Sequence, residues 1–170
     1  MPITLNGSGT VTGLSQLPDS AMAAGSVIQV IQTVKTDTWS TTSDFVFSDV
    51  SGLAVTITPS SSSNKVLVLV DVVASSDYWG TYIKLFRGST EIGNDATGMQ
   101  SNQACHFSSV ITDASDTNAN GFTHQHTRQI LDTPNTTSAV TYQLRIRVSG
   151  DSWNFGEGSS VNLVAMEIGA

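Results

Sequence analysis

The chain has 170 residues, a length that fits one domain with a sizeable core. Its net charge is −7, and its seven Lys and Arg form no cluster able to displace counterions, which excludes a direct nucleic-acid partner. Charged residues make up only 12%, against about 25% in an average protein. Ser, Thr, Asn and Gly take their place, residues that suit exposed β faces and turns and are poor in helices.

Cys105 is the single cysteine, so no intrachain disulfide can form and stability must come from packing or assembly. No basic segment followed by an apolar run opens the chain, and no apolar run approaches the ~20 residues of a membrane span. The expectation is a soluble protein made in a cytoplasm, with no membrane insertion.

Residues 1–25 read as an arm. Thr4-Leu-Asn-Gly-Ser-Gly-Thr-Val-Thr-Gly13 is small, Gly-rich and extended, with too few apolar groups for a core of its own. Leu17 to Gly25 predicts one or two turns of helix, with Pro18 and Asp19 at its start and Gly25 as its stop. One reading is a loose tail. The other is an arm ordered against a neighbouring subunit, with Ile3, Leu5, Val11, Leu14 and Leu17 as its contacts.

From residue 26 to 170 strands follow one another at the spacing of a sandwich or barrel. The predicted strands are Val27–Val34, Phe45–Val50, Leu53–Thr58, Lys65–Ala74, Thr81–Arg87, Thr90–Ile92, Cys105–Thr112, Phe122–Leu131, Ala139–Val148 and Val161–Ile168. Gly88-Ser89 suits a two-residue hairpin turn. Residues 93–103 and 113–121 read as polar loops that would share one end of a jelly roll.

Lys65–Ala74 carries the strongest pattern. Successive strand residues face opposite sides, so Val66, Val68, Val70 and Val72 share one face while Leu67, Leu69, Asp71 and Val73 share the other. Both faces are apolar. One can pack on the opposite sheet; the other, with Leu67, Leu69 and Val73 as its contacts, needs a cover, and another subunit is the expected one. Thr141–Val148 contrasts with it, because Tyr142, Leu144, Ile146 and Val148 alternate with Thr141, Gln143, Arg145 and Arg147, leaving one wet face. The fold class is therefore an all-β antiparallel β-sandwich, jelly-roll-like, with a short extended N-terminal arm.

Several stretches, in this order, carry a family resemblance. They are Lys35-Thr-Asp-Thr-Trp-Ser-Thr-Thr-Ser43, Ile57-Thr-Pro-Ser-Ser, Asn64-Lys-Val-Leu-Val-Leu-Val and Lys84-Leu-Phe-Arg-Gly-Ser-Thr-Glu-Ile-Gly93. Leu131-Asp-Thr-Pro-Asn-Thr-Thr-Ser138, Tyr142-Gln-Leu-Arg-Ile-Arg and Met166-Glu-Ile168 complete the series. Over residues 26–170 the chain resembles the β-rich knob domain of virion proteins of tailed bacteriophages. The N-terminal Gly-Ser-Gly-Thr-Val-Thr-Gly-Leu and Leu-Pro-Asp-Ser pieces are similar to the connectors that precede such knobs. The resemblance implies a trimeric β-sandwich on a particle surface. Family members usually end long fibres, whereas a start at Met1 with a short arm and no shaft points to a compact decoration, cement or head-fibre subunit.

Chemistry-bearing motifs are sparse. There is no Gly-x-Ser-x-Gly elbow, no paired carboxylates stand out among Glu91, Glu157 and Glu167, and no phosphate-cradling Gly loop precedes a helix. No catalytic residue and no cofactor is expected. Asp116-Thr-Asn-Ala-Asn-Gly121 matches the first half of a calcium loop, but the position that needs a bidentate Glu is Thr127, so it reads as a structured polar turn. His124 and His126 share one strand face; they are two histidines of a polar strand, or, near a three-fold axis, a metal site of the kind found in some phage spikes and fibres. Tyr78, Trp79, Tyr82, Trp153 and Phe155 form either core and interface anchors or an aromatic rim for sugar stacking.

The expected function is that of a non-enzymatic virion protein, a homotrimer on the particle surface assembled in the host cytoplasm. Its partners would be the major capsid protein or other virion proteins, reached through the arm and a sandwich rim. The alternative is a tail-fibre receptor-binding knob that contacts host surface glycans.

Overall fold

The structure is a computed structural model and describes residues 22–41, 46–76, 81–93, 107–109, 122–148, 153–155 and 160–170. These residues form strands and no helix. The strands are β1 (Val27–Lys35), β2 (Trp39–Thr41), β3 (Ser48–Ile57), β4 (Lys65–Ser76), β5 (Thr81–Arg87), β6 (Thr90–Ile92), β7 (Phe107–Ser109), β8 (Phe122–Asp132), β9 (Val140–Val148), β10 (Trp153–Phe155) and β11 (Val161–Ile168).

All pairings are antiparallel. One sheet runs β1-β11-β4-β8, with the short β10 and β2 extending it beyond the end of β11. The other runs β3-β9-β5, with β6 and β7 sharing the far edge of β5. Strands distant in sequence thus become neighbours: the first beside the last, and the third beside the ninth. Taking β6 and β7 as one position, and β10 and β2 as an extension, leaves two sheets of four strands, wound as a jelly roll. The sandwich expectation holds.

The core lies between the sheets and follows the pleat. Val66, Val68, Val70 and Val72 of β4 are fully buried beside Val161, Leu163 and Ala165 of β11. They face Val50, Leu53, Val55 and Ile57 of β3, Ile83 and Leu85 of β5, and Tyr142, Leu144 and Ile146 of β9. Each buried Val, Leu or Ile side chain among them contributes roughly 1.5–3 kcal/mol when withdrawn from water.

Three differences from the sequence reading have physical causes. The segments expected as Phe45–Val50 and Leu53–Thr58 are, from Ser48 on, one strand. Its register shifts between Asp49 and Ala54, and Gly52 at φ +78° supplies the left-handed residue there. That irregularity lets Val50 and Leu53, an odd number of residues apart, both reach the core. The helix expected over 17–25 is not found in its described part: residues 22–25 form a bend and turn, ended by Gly25 at φ +85°. Arg147, expected on a wet face, is buried, its guanidinium 4.1 Å from the centre of the Tyr82 ring and 5.5 Å from that of Phe47. The Gly88-Ser89 turn forms as expected, joining Arg87 and Thr90 with Gly88 at φ +57°.

Leu163 is fully enclosed by both sheets. Leu163→Ala should therefore cost about 2–5 kcal/mol in urea or guanidinium unfolding. A loss below about 1 kcal/mol would mean that the site collapses far more readily than this packing allows.

Candidate functional site

The outer face of the β1-β11-β4-β8 sheet stands out chemically. In an antiparallel ladder, residues directly opposite one another point the same way. The register sets Val30, Met166, Leu67 and Leu131 in one row across all four strands. The next outward row is Gln32, Val164, Leu69 and Gln129, and the third is Val34, Asn162, Asp71 and Thr127. Leu67, Leu69, Val73, Val164 and Met166 are half-buried by their neighbours alone. On the flanking strands Val27, Val30, Val34 and Leu131 are 48%, 55%, 47% and 54% exposed. Such contiguous apolar surface marks an interaction site more often than chance.

Charge is scarce on this face. Among its described residues only Lys65, at one end of β4, and Asp71 are ionisable. Asp71 accepts hydrogen bonds from Gln125 Nε2 at 2.9 Å and Thr127 Oγ1 at 3.3 Å. The rest of the polar rim consists of amides and a hydroxyl: Gln32, Gln125, Gln129, Asn162 and Thr127.

Two polar clusters hold the sheet in place from behind. Glu167, fully buried on β11, receives four hydrogen bonds and has no cation among these donors. Oε1 accepts from Ser60 N at 2.7 Å, Ser60 Oγ at 2.8 Å and Asn64 Nδ2 at 2.6 Å, and Oε2 accepts from Gln29 Nε2 at 2.6 Å. Burial alone would raise this carboxyl, but the bonds from Asn64, Gln29 and Ser60 outweigh it and hold it below its ordinary 4.5. Gln29 also donates to Thr58 O at 2.7 Å, and Thr33 Oγ1 donates to Ala54 O at 2.7 Å. These bonds close the β1–β3 side of the sandwich.

Asp132, at the end of β8, closes the opposite side. Arg87 Nη1 donates to both its oxygens at 2.8 and 2.7 Å, and the buried Tyr142 hydroxyl donates to Oδ2 at 2.7 Å. Burial pushes the Tyr142 phenol far above its usual range, and the Asp132 carboxylate adds to the rise. The phenol is therefore a permanent donor.

No family model matches the chain, and no curated protein does. Among solved structures, it is similar to a D431N mutant of the VP2 protein of infectious bursal disease virus, taken from derived T=1 particles. The TM-score is 0.41 at 12% identity, over 100% of this chain and 41% of that one. A dimeric latent PorU from Porphyromonas gingivalis is similar at TM-score 0.35 and 13% identity, over 91% of this chain and 14% of that one. The chain thus spans less than half the length of each.

Of the residues singled out from sequence, Leu67, Leu69 and Val73 lie together on the outer face. Ile3, Leu5, Val11, Leu14, Leu17, Tyr78 and Trp79 fall outside the described residues, as does the Asp116–Gly121 turn. Tyr82 lies on the outward side of the other sheet with Arg147 stacked on its ring. Trp153 stands in β10 opposite Ser76 and Thr41. His124 and His126 are β8 residues opposite Ala74 and Val72; the half-buried His126 is on the side turned to the other sheet. Among the described residues, no group of three or more His, Cys, Asp or Glu could hold a metal ion.

The sequence reading missed Glu167, Asp132 and the outer-face partners Val30, Met166, Val164 and Leu131. The Glu167 signal was present: an acidic residue in Val161-Asn-Leu-Val-Ala-Met-Glu-Ile168 at an inward position of an otherwise apolar strand face.

Glu167→Gln turns an acceptor oxygen into a donor amide aimed at donors, which should cost about 1.5–3 kcal/mol at pH 7 by urea unfolding. The folded-state carboxyl lies below its unfolded value. Its contribution is therefore present in full above the ordinary 4.5 and fades as pH falls through the folded value. The gap between wild type and variant should narrow below pH ~4.5; a gap constant down to pH ~2 would contradict the assignment.

Proposed function

We propose that this chain is a structural subunit of a phage virion, a homotrimeric capsid decoration, cement or head-fibre protein that works without catalysis. One observation carries the reading: the jelly roll turns an apolar, nearly uncharged sheet face outward. A sandwich that works alone gains nothing from such a face, whereas a building unit buries it against copies of itself. The ordered motifs that resemble phage knob domains, from Lys35-Thr-Asp-Thr-Trp to Met166-Glu-Ile168, support the virion setting.

In this reading residues 1–25 and one rim of the sandwich dock on the major capsid protein or on other virion proteins. Each contact is modest, but a trimer offers several at once, and the second and third engagements are effectively intramolecular. The net charge of −7 keeps neighbouring copies and the particle in solution. Assembly takes place in the host cytoplasm, and the finished subunit lies on the virion surface.

Fluorescently labelled protein added to undecorated capsids and to host cells should bind the capsids and leave the cells unlabelled. Removing residues 1–24 should weaken capsid binding at least tenfold, roughly 1.4 kcal/mol or more, while the sandwich keeps its β-type circular dichroism. Cell binding without capsid binding would sink this proposal in favour of a receptor-binding knob that contacts host glycans.

A further inference from the structure

We infer that the outer face of β1-β11-β4-β8 lines the inside of a three-copy ring, with β1 of each copy set against β8 of the next. The inference deepens the homotrimer named above by assigning its contact surface.

Width is the first consideration. Four strands about 4.8 Å apart make a wall about 19 Å across. Three such walls stand roughly 5–7 Å from a common axis, close to the roughly 5 Å that one side-chain layer fills when sheets pack about 10 Å apart. Four walls would stand about 10 Å away and leave an open channel. Leu67, Leu69, Val164 and Met166, in the middle of the wall, would meet on that axis.

The position of the exposed apolar groups is the second. A simple face-to-face pair has an apolar centre and a polar rim. Here the flanking strands carry, beside Gln32, Gln125, Gln129 and Thr127, the most exposed apolar side chains of this face, Val30 at 55% on one and Leu131 at 54% on the other, so one apolar row runs through the polar rim to both edges. The two belong to the same row, Val30-Met166-Leu67-Leu131. Rotation about an axis parallel to the strands keeps height, so it carries Leu131 of one copy to the level of Val30 in the next. The neighbouring rows then set Gln129 near Gln32 and Thr127 near Val34. Within the described residues β1 pairs only with β11 and β8 only with β4, so each presents an open edge that ring closure would cover.

Charge is the third. Copies of a chain of net charge −7 repel one another, and a self-contact must keep like charges apart. The amides of Gln32, Gln129 and Asn162 both donate and accept, so they are complementary to copies of themselves, and the bond from Gln32 Nε2 to Asn162 Oδ1 at 3.1 Å within one chain leaves each of those two amides a further donor or acceptor. A cationic partner would instead select acidic groups, and the single carboxylate here, Asp71, already accepts from Gln125 and Thr127.

Cysteine cross-linking tests the arrangement. In a Cys105→Ser background, Val30→Cys and Leu131→Cys lie three strands apart in one chain, about 14 Å, beyond the roughly 7 Å that a disulfide spans between Cα atoms. Any bridge therefore joins two copies. Under mild oxidation the double variant should give covalent dimers and trimers on a denaturing gel, ending at three, while each single variant stays a monomer. Leu131→Arg, at a half-exposed site, should keep the circular dichroism of the wild type and sediment as a monomer. Self-linking of either single variant, a ladder that stops at two or runs past three, no bridge in the double variant, or a Leu131→Arg protein that stays trimeric would each overturn the inference. A wild-type trimer lacking this bridge would refute the surface and leave the virion reading standing. A bridged trimer that ignores capsids would do the reverse.

Discussion

The fold depends on one strand being apolar on both sides. β4 sends Val66, Val68, Val70 and Val72 into the space between the sheets and Leu67, Leu69 and Val73 to the outside. It is also the strand on which its sheet is assembled: β8 lies along one edge, and β11 and then β10 along the other. The inner valines bind the two sheets by withdrawing β-branched side chains from water, and the backbone ladder then has no choice about where the outer leucines go. A one-residue slip would exchange the two faces and put Asp71 in the core. The inner packing thereby fixes the register of the outer surface.

The two open sides of the sandwich are handled with polar groups. Glu167 gathers Ser60, Asn64 and Gln29 on the β1–β3 side, and Asp132 gathers Arg87 and Tyr142 on the β8 side. Each is a buried or half-buried carboxylate whose lone pairs are met by hydrogen-bond donors, the condition under which burying charge is tolerable. Each also ties an edge strand of the outer-facing sheet to the sheet behind it or to the loop beneath it. The apolar rows in front are thus mounted on a frame clasped at both flanks.

The outer side of the other sheet is built by a different device. Its outward residues pair cations with rings and carboxylates: Arg147 over Tyr82, Arg145 over Phe86 and near Asp49, and Lys84 beside Phe47 and Glu91. Three of the seven Lys and Arg of the chain are used there, and the apolar face of the first sheet is left nearly bare of charge. The two outer surfaces have divided the polar residues unequally.

Local pattern sufficed for the strands. Period-two alternation in Lys65–Ala74 and Thr141–Val148, β-branched enrichment and the Gly88-Ser89 turn located most elements within a residue or two, because side-chain direction in a strand depends only on neighbours in the chain. The bulge at Gly52 escaped because Ser51-Gly52 looks like a turn between two strands. β2 and β10 escaped because three-residue strands hold too little alternation to be seen without a turn signal such as the Gly88-Ser89 that marks β6. The sequence by itself determined that β4 has two apolar faces and that Leu67, Leu69 and Val73 share the outer one. Only the tertiary structure decided that Val30, Met166 and Leu131 complete their row, and that Glu167 and Asp132 are enclosed rather than wet. Those facts depend on which distant strands become neighbours and in what register, and pairing across a hundred residues leaves no mark on local composition.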